Sequence, residues 1–138
     1  MRRSTFKNIE AILRDYPDYD KYIAEREQSL LYPDNIYSDE NIGGGRSNQT
    51  SDPTGRKAVT LAEDRTLLLL KYQKEKIEKV IDESDFVTNK VVAEYYFARP
   101  QLKTWDGVAV DNGMSKTNCL RIRDRFFDRI ADELGLLK

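Results

Sequence analysis

The clearest chemical signal in this sequence is a group of basic and hydroxyl side chains near the carboxyl end. Residues 115 to 125 hold four basic residues and one acid, whereas the whole chain has 23 basic and 24 acidic residues and a net charge of −1. A helix that begins with such side chains attracts phosphate through its amides and its dipole. The segment therefore predicts a nucleic-acid-binding surface that the total charge hides. The candidate residues are Ser115, Lys116, Thr117, Leu120, Arg121, Arg123 and Arg125.

Helical spacing assigns these candidates to different contacts. With Cys119 and Ile122 facing inward, the first turns of the helix project the candidates outward. We expect Arg121 to form a bidentate contact to a guanine edge in the major groove of double-stranded DNA. Side chains expected to enter the groove with it are Lys116, Thr117 and Leu120, and those expected to hold phosphates are Ser115, Arg123 and Arg125. The alternative interpretation is a solvated face on a packing helix.

A helix-turn-helix is the arrangement that would position this surface. The motif needs a small residue on its first helix and, four positions later, a glycine with positive φ. Ala109 and Gly113 have that spacing. The pattern predicts a short helix over 104–111, a turn over 112–114, and a final helix that Ser115 caps.

Two residues in this segment depart from the usual pattern. Asn112 stands where an apolar residue is common, and Gly107 lies inside the short helix. A glycine there weakens a helix by up to about 1 kcal/mol relative to alanine. We expect these departures to affect the geometry of the short helix rather than the class of motif.

The remaining apolar residues recur at helical spacing, and no run alternates with period two, so the sequence predicts an all-α fold. The predicted elements are a helix over 5–16 capped by Ser4 or Thr5, a helix over 17–32, a long helix over 59–82, and a helix over 86–97 capped by Ser84.

Composition divides the chain into three predicted segments. Residues 1–33 form an N-terminal helical hairpin arm, 34–56 a flexible Gly/Ser-rich linker, and 57–138 a four-helix DNA-binding domain. Residues 1 to 40 contain six basic and nine acidic residues. An acidic arm is unsuited to DNA, and it suits self-association or contact with another protein.

The absence of His excludes many kinds of chemistry. Catalytic schemes that pair His with Ser or Cys cannot be built, nor can His-containing metal sites. The acids Asp82, Glu83 and Asp85 lie between two predicted helices, where carboxylates ordinarily act as caps or solvated charges. We therefore expect no enzymatic activity, no metal and no cofactor.

The sequence also predicts the compartment. No run approaches the roughly 18 apolar residues of a membrane span, and no signal-peptide pattern follows the basic start. The single Cys, Cys119, cannot form an internal disulfide, which suits a reducing environment. We expect a cytoplasmic protein that does not contact membranes.

Several motifs in order along the chain resemble those of one protein family. They are Asp15-Tyr16-Pro17-Asp18-Tyr19, an Asn41-Ile42-Gly43-Gly44-Gly45 loop with Ser47-Asn48, a long charged helix, Glu94-Tyr95-Tyr96-Phe97, and a terminal Ala131-Asp132-Glu133-Leu134-Gly135. Together they resemble the RinA/ArpU-type phage transcriptional activators over nearly the whole chain. The resemblance implies that residues 85 to 134 adopt a fold similar to sigma-factor region 4.

The resemblance also implies a function, which is activation of phage late genes at a promoter with host RNA polymerase, in the host cytoplasm. Three other functions stay open at this point. A small terminase subunit, or another DNA-packaging adaptor, would also combine a helix-turn-helix with oligomerising helices. A helical protein-interaction module would use the basic face to bind an acidic protein, and a carboxylate-metal nuclease is the enzymatic alternative.

Overall fold

The computed structural model describes residues 1–32 and 53–138, and within these ranges the regular secondary structure is helical, with no strand. This confirms the all-α prediction for the described residues. The helices are α1 (Arg3–Asp15), α2 (Tyr19–Leu31), α3 (Pro53–Glu63), α4 (Arg65–Glu83), α5 (Phe86–Val92), α6 (Trp105–Asp111) and α7 (Lys116–Leu134). A 3₁₀ turn, Tyr16–Asp18, joins α1 to α2, and a π-helical segment, Ala93–Phe97, follows α5.

Part of the predicted organisation falls outside these ranges. The Asn41-Ile42-Gly43-Gly44-Gly45 loop with Ser47-Asn48, and most of the predicted linker over 34–56, lie outside the described residues. The end of that predicted linker is helical instead, because α3 begins at Pro53. Proline is well accommodated in the first turn of a helix, where its missing N–H would have no partner.

Internal contacts group the described helices into a larger unit, residues 1–19 and 72–138, and a smaller unit, residues 20–71. These boundaries differ from the three segments predicted from composition. The first helix of the predicted hairpin arm, α1, belongs to the larger unit and packs against α7 and the π-helical segment. Its apolar residues Ile9, Ile12 and Leu13 are buried there.

The larger unit has a core of aliphatic and aromatic side chains contributed by all of its helices. Phe6 of α1 contacts Phe127 of α7 with ring centroids 4.8 Å apart. The hydroxyl of Tyr96, which is fully buried, donates a hydrogen bond to Glu10 Oε2 at 2.8 Å. Fully buried core residues also include Ile77, Val80, Val91, Val92, Val108, Phe126 and Ile130.

The smaller unit is joined by ionic contacts between its helices. Arg26 of α2 donates two hydrogen bonds to the carboxylate of Asp64, at 2.7 and 3.1 Å. The Arg26 hydrogen bond holds the pKa of Asp64 below its usual value, with a further contribution from the Leu67 amide. Lys71 lies 3.3 Å from Glu27 in the same unit.

Asp64 explains why the long helix predicted over 59–82 is two helices. The chain leaves helical geometry at Asp64, whose side chain accepts the Leu67 N–H at 2.9 Å, so α3 ends at Glu63 and α4 begins at Arg65. An aspartate at this position caps a new helix more favourably than it continues the old one. The prediction of one continuous helix is therefore wrong.

Two predicted helix caps are also corrected. Helix α1 begins two residues before Thr5, with Arg2 at the N-cap position and no side-chain cap, so neither Ser4 nor Thr5 caps it. Thr5 is buried, and its hydroxyl donates to the Leu137 carbonyl. At α5 the cap is Asp85 rather than Ser84, because the Asp85 carboxylate accepts the Thr88 N–H at 2.7 Å.

Candidate nucleic-acid interface

The connection between α6 and α7 is a tight turn that has the predicted glycine geometry. Gly113 has a φ of 63°, in the left-handed region that glycine adopts readily. Within the turn the Met114 amide donates to the Ala109 carbonyl at 3.0 Å. The hydroxyl of Ser115 accepts the Asn118 N–H at 3.1 Å and caps α7. The predicted turn and the predicted cap are confirmed.

A small apolar core holds α6 and α7 together. Its buried residues, from α5, α6 and α7, are Val91, Val108, Ala109, Cys119 and Ile122. Three half-buried side chains pack around them: Tyr95, Trp105 and Met114. Burial raises the pKa of the Cys119 thiol, which makes this residue an unreactive part of the core. The inward orientation predicted for Cys119 and Ile122 is therefore confirmed.

The structure accounts for the two unusual residues of this segment. The side-chain amide of Asn112 donates to Glu94 Oε2 at 3.0 Å and to the Val108 carbonyl at 2.8 Å, so its polarity is satisfied. At Gly107 an added Cβ would meet only Thr104 Oγ1, at an ordinary 3.5 Å. Neither residue disturbs the turn, and Asn112 ties it to the π-helical segment.

The first turns of α7 present the candidate residues to different degrees. Leu120 is half-buried. Arg121 is exposed, and so are four other candidates: Ser115, Lys116, Thr117 and Arg125. Lys116 lies 3.7 Å from Asp106, with more than half of each side chain exposed. A surface pair of this kind contributes about 0–1 kcal/mol, so Lys116 can exchange it for another anion.

Arg121 projects from α7 with its guanidinium free. It is exposed, and within residues 1–32 and 53–138 it makes no ion pair or side-chain hydrogen bond. Its five N–H donors can therefore bind an external acceptor without breaking an internal contact. This is the residue that the sequence singled out for base contact.

Arg123 occupies a different environment from the other candidates. Its side chain is 18% exposed, and its guanidinium carbon lies 4.7 Å from the Phe6 ring centroid and 5.5 Å from that of Trp105. It also donates to Asp124 Oδ1 at 2.8 Å. These contacts join α7 to α1 and α6, which is a packing role that the spacing along α7 could not indicate.

On another side of α7, Asn118 and Arg125 line an open groove of about 440 Å³ with Val87 and Thr88 of α5. Asn118 was absent from the sequence-based candidates, although it is exposed on the first turn of α7. Its position three residues after the cap was the available signal. Its amide donates only a long, 3.7 Å contact to Met114 Sδ.

Two of the three acids where α4 ends and α5 begins, Glu83 and Asp85, have structural partners. Glu83 accepts from Arg129 at 2.5 Å, and Asp85 caps α5. Hydrogen bonds from Thr88 lower the pKa of Asp85, and the positive charge of Arg125 adds to this effect. Among the described residues, no three His, Cys, Asp or Glu side chains form a group that could hold a metal ion.

These features define a class, namely an all-helical protein whose last two helices form a tight turn and carry an exposed, cation-rich face. None of the helices in the described ranges combines the length and apolar character needed to cross a bilayer. The family described as "Protein of unknown function (DUF722)" matches residues 5–132. The "Transcriptional activator rinA" of Staphylococcus phage phi11 is 32% identical over 137 residues, which cover 98% of this chain and 94% of that relative.

The chain therefore belongs to the DUF722 family, and it is a sequence relative of a phage transcriptional activator of the RinA type. The resemblance inferred from the motifs is confirmed. No solved structure matches the chain.

Proposed function

We propose that this protein is a sequence-specific DNA-binding regulator that activates phage late genes at a promoter together with host RNA polymerase. The observation that carries the proposal is the exposed, unpaired guanidinium of Arg121 on α7, the helix that follows the turn at Gly113. The α6–turn–α7 segment has the features of a helix-turn-helix, which inserts its second helix into the major groove.

The proposed contacts follow from exposure along α7. Arg121 donates two hydrogen bonds to a guanine, a contact that distinguishes the correct base by about 1–3 kcal/mol. Thr117 and Leu120 approach neighbouring base edges. Lys116 and Ser115 bind phosphate at the start of the helix, where the amides also point outward.

The two remaining arginines differ in role. Arg125 is exposed at the edge of α7 and is proposed to bind a phosphate. Arg123, which the sequence placed with the phosphate ligands, is proposed to support α7 from behind, because two aromatic rings cover its guanidinium. The binding surface is then centred on Arg121 and bounded by Lys116 and Arg125.

Activation and the choice of polymerase as partner are supported by the relationship to a protein named as a transcriptional activator. A fold of the sigma region-4 type over residues 85 to 134 would bring the protein close to polymerase at a promoter, in the host cytoplasm. The apolar face of α1 is covered within the larger unit. Protein contact or self-association is therefore assigned to α2 in the predicted arm.

The direct experiment is selection of bound duplexes from random DNA with the full chain, followed by transcription from a template that carries the selected site. We expect one enriched sequence, and transcript from host polymerase that increases when the protein is added. Arg121→Ala serves as the matched variant and should relax the base preference at one position of the selected sequence. Absence of enrichment, with a stable ring of many subunits in solution, would favour a DNA-packaging adaptor instead.

A further inference from the structure

We propose that Arg2, Arg3 and Lys7, at the beginning of α1, form a second DNA-contacting surface that binds the phosphate backbone beside the groove occupied by α7. This inference rests on the proposed function, and it concerns residues that no part of the predicted interface includes. The three residues are called the α1 basic surface below.

The α1 basic surface lies beside the middle of α7. Phe6, one residue before Lys7, contacts the ring of Phe127 and lies under the guanidinium of Arg123. Met1 lines a cavity of about 420 Å³ together with Asp124 and Asp128. The chain from Met1 to Lys7 is therefore next to residues 123–128 of α7, within the larger unit.

The spacing along α7 suits a phosphate contact. A helix rises about 1.5 Å per residue, so Asp124 lies about 4.5 Å and Asp128 about 10 Å along the axis from Arg121. The major groove is about 12 Å wide. At about 100° per residue, Asp124 and Asp128 lie within about 60° of Arg121 around the helix. Met1 lines the same cavity as both of them, so the start of α1 flanks the face that carries Arg121, and the proposal places one DNA strand bordering the groove along this flank.

The charges at this place favour an anion. Arg2, Arg3 and Lys7 are exposed, no acid occurs in residues 1 to 9, and within the described ranges none of the three forms an ion pair. Two acids near this surface have partners of their own: Asp124 accepts hydrogen bonds from Arg123, and Glu10, one turn after Lys7, accepts from Tyr96 and pairs with Arg14. Asp128 lines the cavity with Met1, and the three cations outnumber it.

The backbone of this segment is fixed rather than free. The Phe6 N–H donates to the Arg2 carbonyl at 3.0 Å, which fastens Arg2 to the first turn of α1. Because Thr5 and Ile9 are buried, Arg3 and Lys7 share the outer face of the helix, one turn apart. The helical backbone therefore sets where these three side chains emerge before DNA binds.

The test replaces the α1 basic surface in the full chain with Arg2→Ala, Arg3→Ala and Lys7→Ala together. Each lost phosphate contact reduces the slope of log affinity against log salt by about 0.9. We expect the slope to fall by about two to three, and affinity to fall about tenfold for the selected site and for random DNA alike. Fluorescence anisotropy on both duplexes at several salt concentrations measures these changes.

Two control variants sharpen this test. Lys21→Ala, Lys57→Ala and Arg65→Ala together remove the same charge from the smaller unit and should leave the slope unchanged. Arg2→Lys with Arg3→Lys keeps the charge and should keep the slope. Circular dichroism melting of each variant shows that the fold is intact, since none of the replaced side chains is buried.

The outcomes separate this inference from the proposed function. If the unaltered protein binds DNA and the triple variant has the same salt slope, the α1 basic surface does not contact phosphate and only this inference fails. An equal loss in the charge-matched control would also overturn it, because the effect would then be one of net charge. If the unaltered protein binds no duplex, the proposed function fails as well.

Discussion

Arg123 lies against the face of Trp105, with its guanidinium carbon 5.5 Å from the ring centroid, and this contact joins α7 to α6. The same guanidinium lies 4.7 Å from the Phe6 ring of α1. Cation–π contacts contribute about 0.5–2 kcal/mol, depending on how far they are desolvated. We therefore expect Arg123→Ala to lower the free energy of unfolding by about 1–2 kcal/mol.

Urea unfolding of the full chain measures this loss, and DNA binding separates the two roles assigned to Arg123. A packing residue should leave the salt slope unchanged once the variant is folded, and Arg123→Lys should recover part of the stability. If the slope of log affinity against log salt fell by about one without any loss of stability, Arg123 would be a phosphate ligand and not a packing residue.

Gly113 should tolerate substitution poorly because of its backbone alone. Nothing lies within 4 Å of the position that a Cβ would occupy, but φ is +63°. The left-handed conformation costs about 1–2 kcal/mol for an ordinary residue. Gly113→Ala should destabilise the protein by that amount, and Gly113→Val by more, because a β-branched residue adopts positive φ reluctantly.

Gly107→Ala is the matched control for this prediction. Gly107 lies in helical backbone with ordinary space for a Cβ, so alanine should stabilise the protein by about 0.5–1 kcal/mol. Thermal melting of the three variants gives the comparison. Equal effects at both positions would show that the turn does not depend on left-handed backbone at Gly113.

Tyr96 should make the protein sensitive to alkaline pH. Burial, and then the hydrogen bond and charge of Glu10, raise its pKa, because each disfavours the phenolate in the folded state. The contribution of Tyr96 to the free energy of unfolding is fully present below the unfolded pKa of about 10. It is lost as the pH rises further, because the phenol ionises in the unfolded chain before it ionises in the folded protein. Stability should therefore fall above roughly pH 10.

Tyr96→Phe isolates this effect from the other titrating groups. At neutral pH the variant should be less stable by about 1–3 kcal/mol, since it loses a hydrogen bond to a carboxylate. Above pH 10 the difference between the two proteins should shrink, which urea unfolding at several pH values would measure. A constant difference across that range would mean that Tyr96 does not titrate differently in the folded state.

The parts of the structure that the sequence predicted depend on short-range rules. The turn needs Gly113, the cap needs Ser115, and both act within four residues of their partners. The orientation of Cys119 and Ile122 followed from helical spacing. Such features are readable because their causes lie next to them in the sequence.

The features that the sequence did not predict depend on distant partners. Tyr96 and Glu10 are 86 residues apart, so the packing of α1 against the end of the chain had no local signal. The role of Arg123 required knowing that the rings of Phe6 and Trp105 lie close to its guanidinium. Asp64 could equally have stayed within a helix, and its partner Arg26 is 38 residues away.

The central claim is that α7 reads DNA sequence through Arg121, and the most direct measurement is the ratio of affinities for selected and random duplexes. Anisotropy titrations at one salt concentration should show that Arg121→Ala loses about 1–3 kcal/mol on the selected site and little on random DNA. Lys116→Ala and Arg125→Ala should weaken both duplexes equally and lower the salt slope by about one. Equal losses on both duplexes for Arg121→Ala would contradict the account.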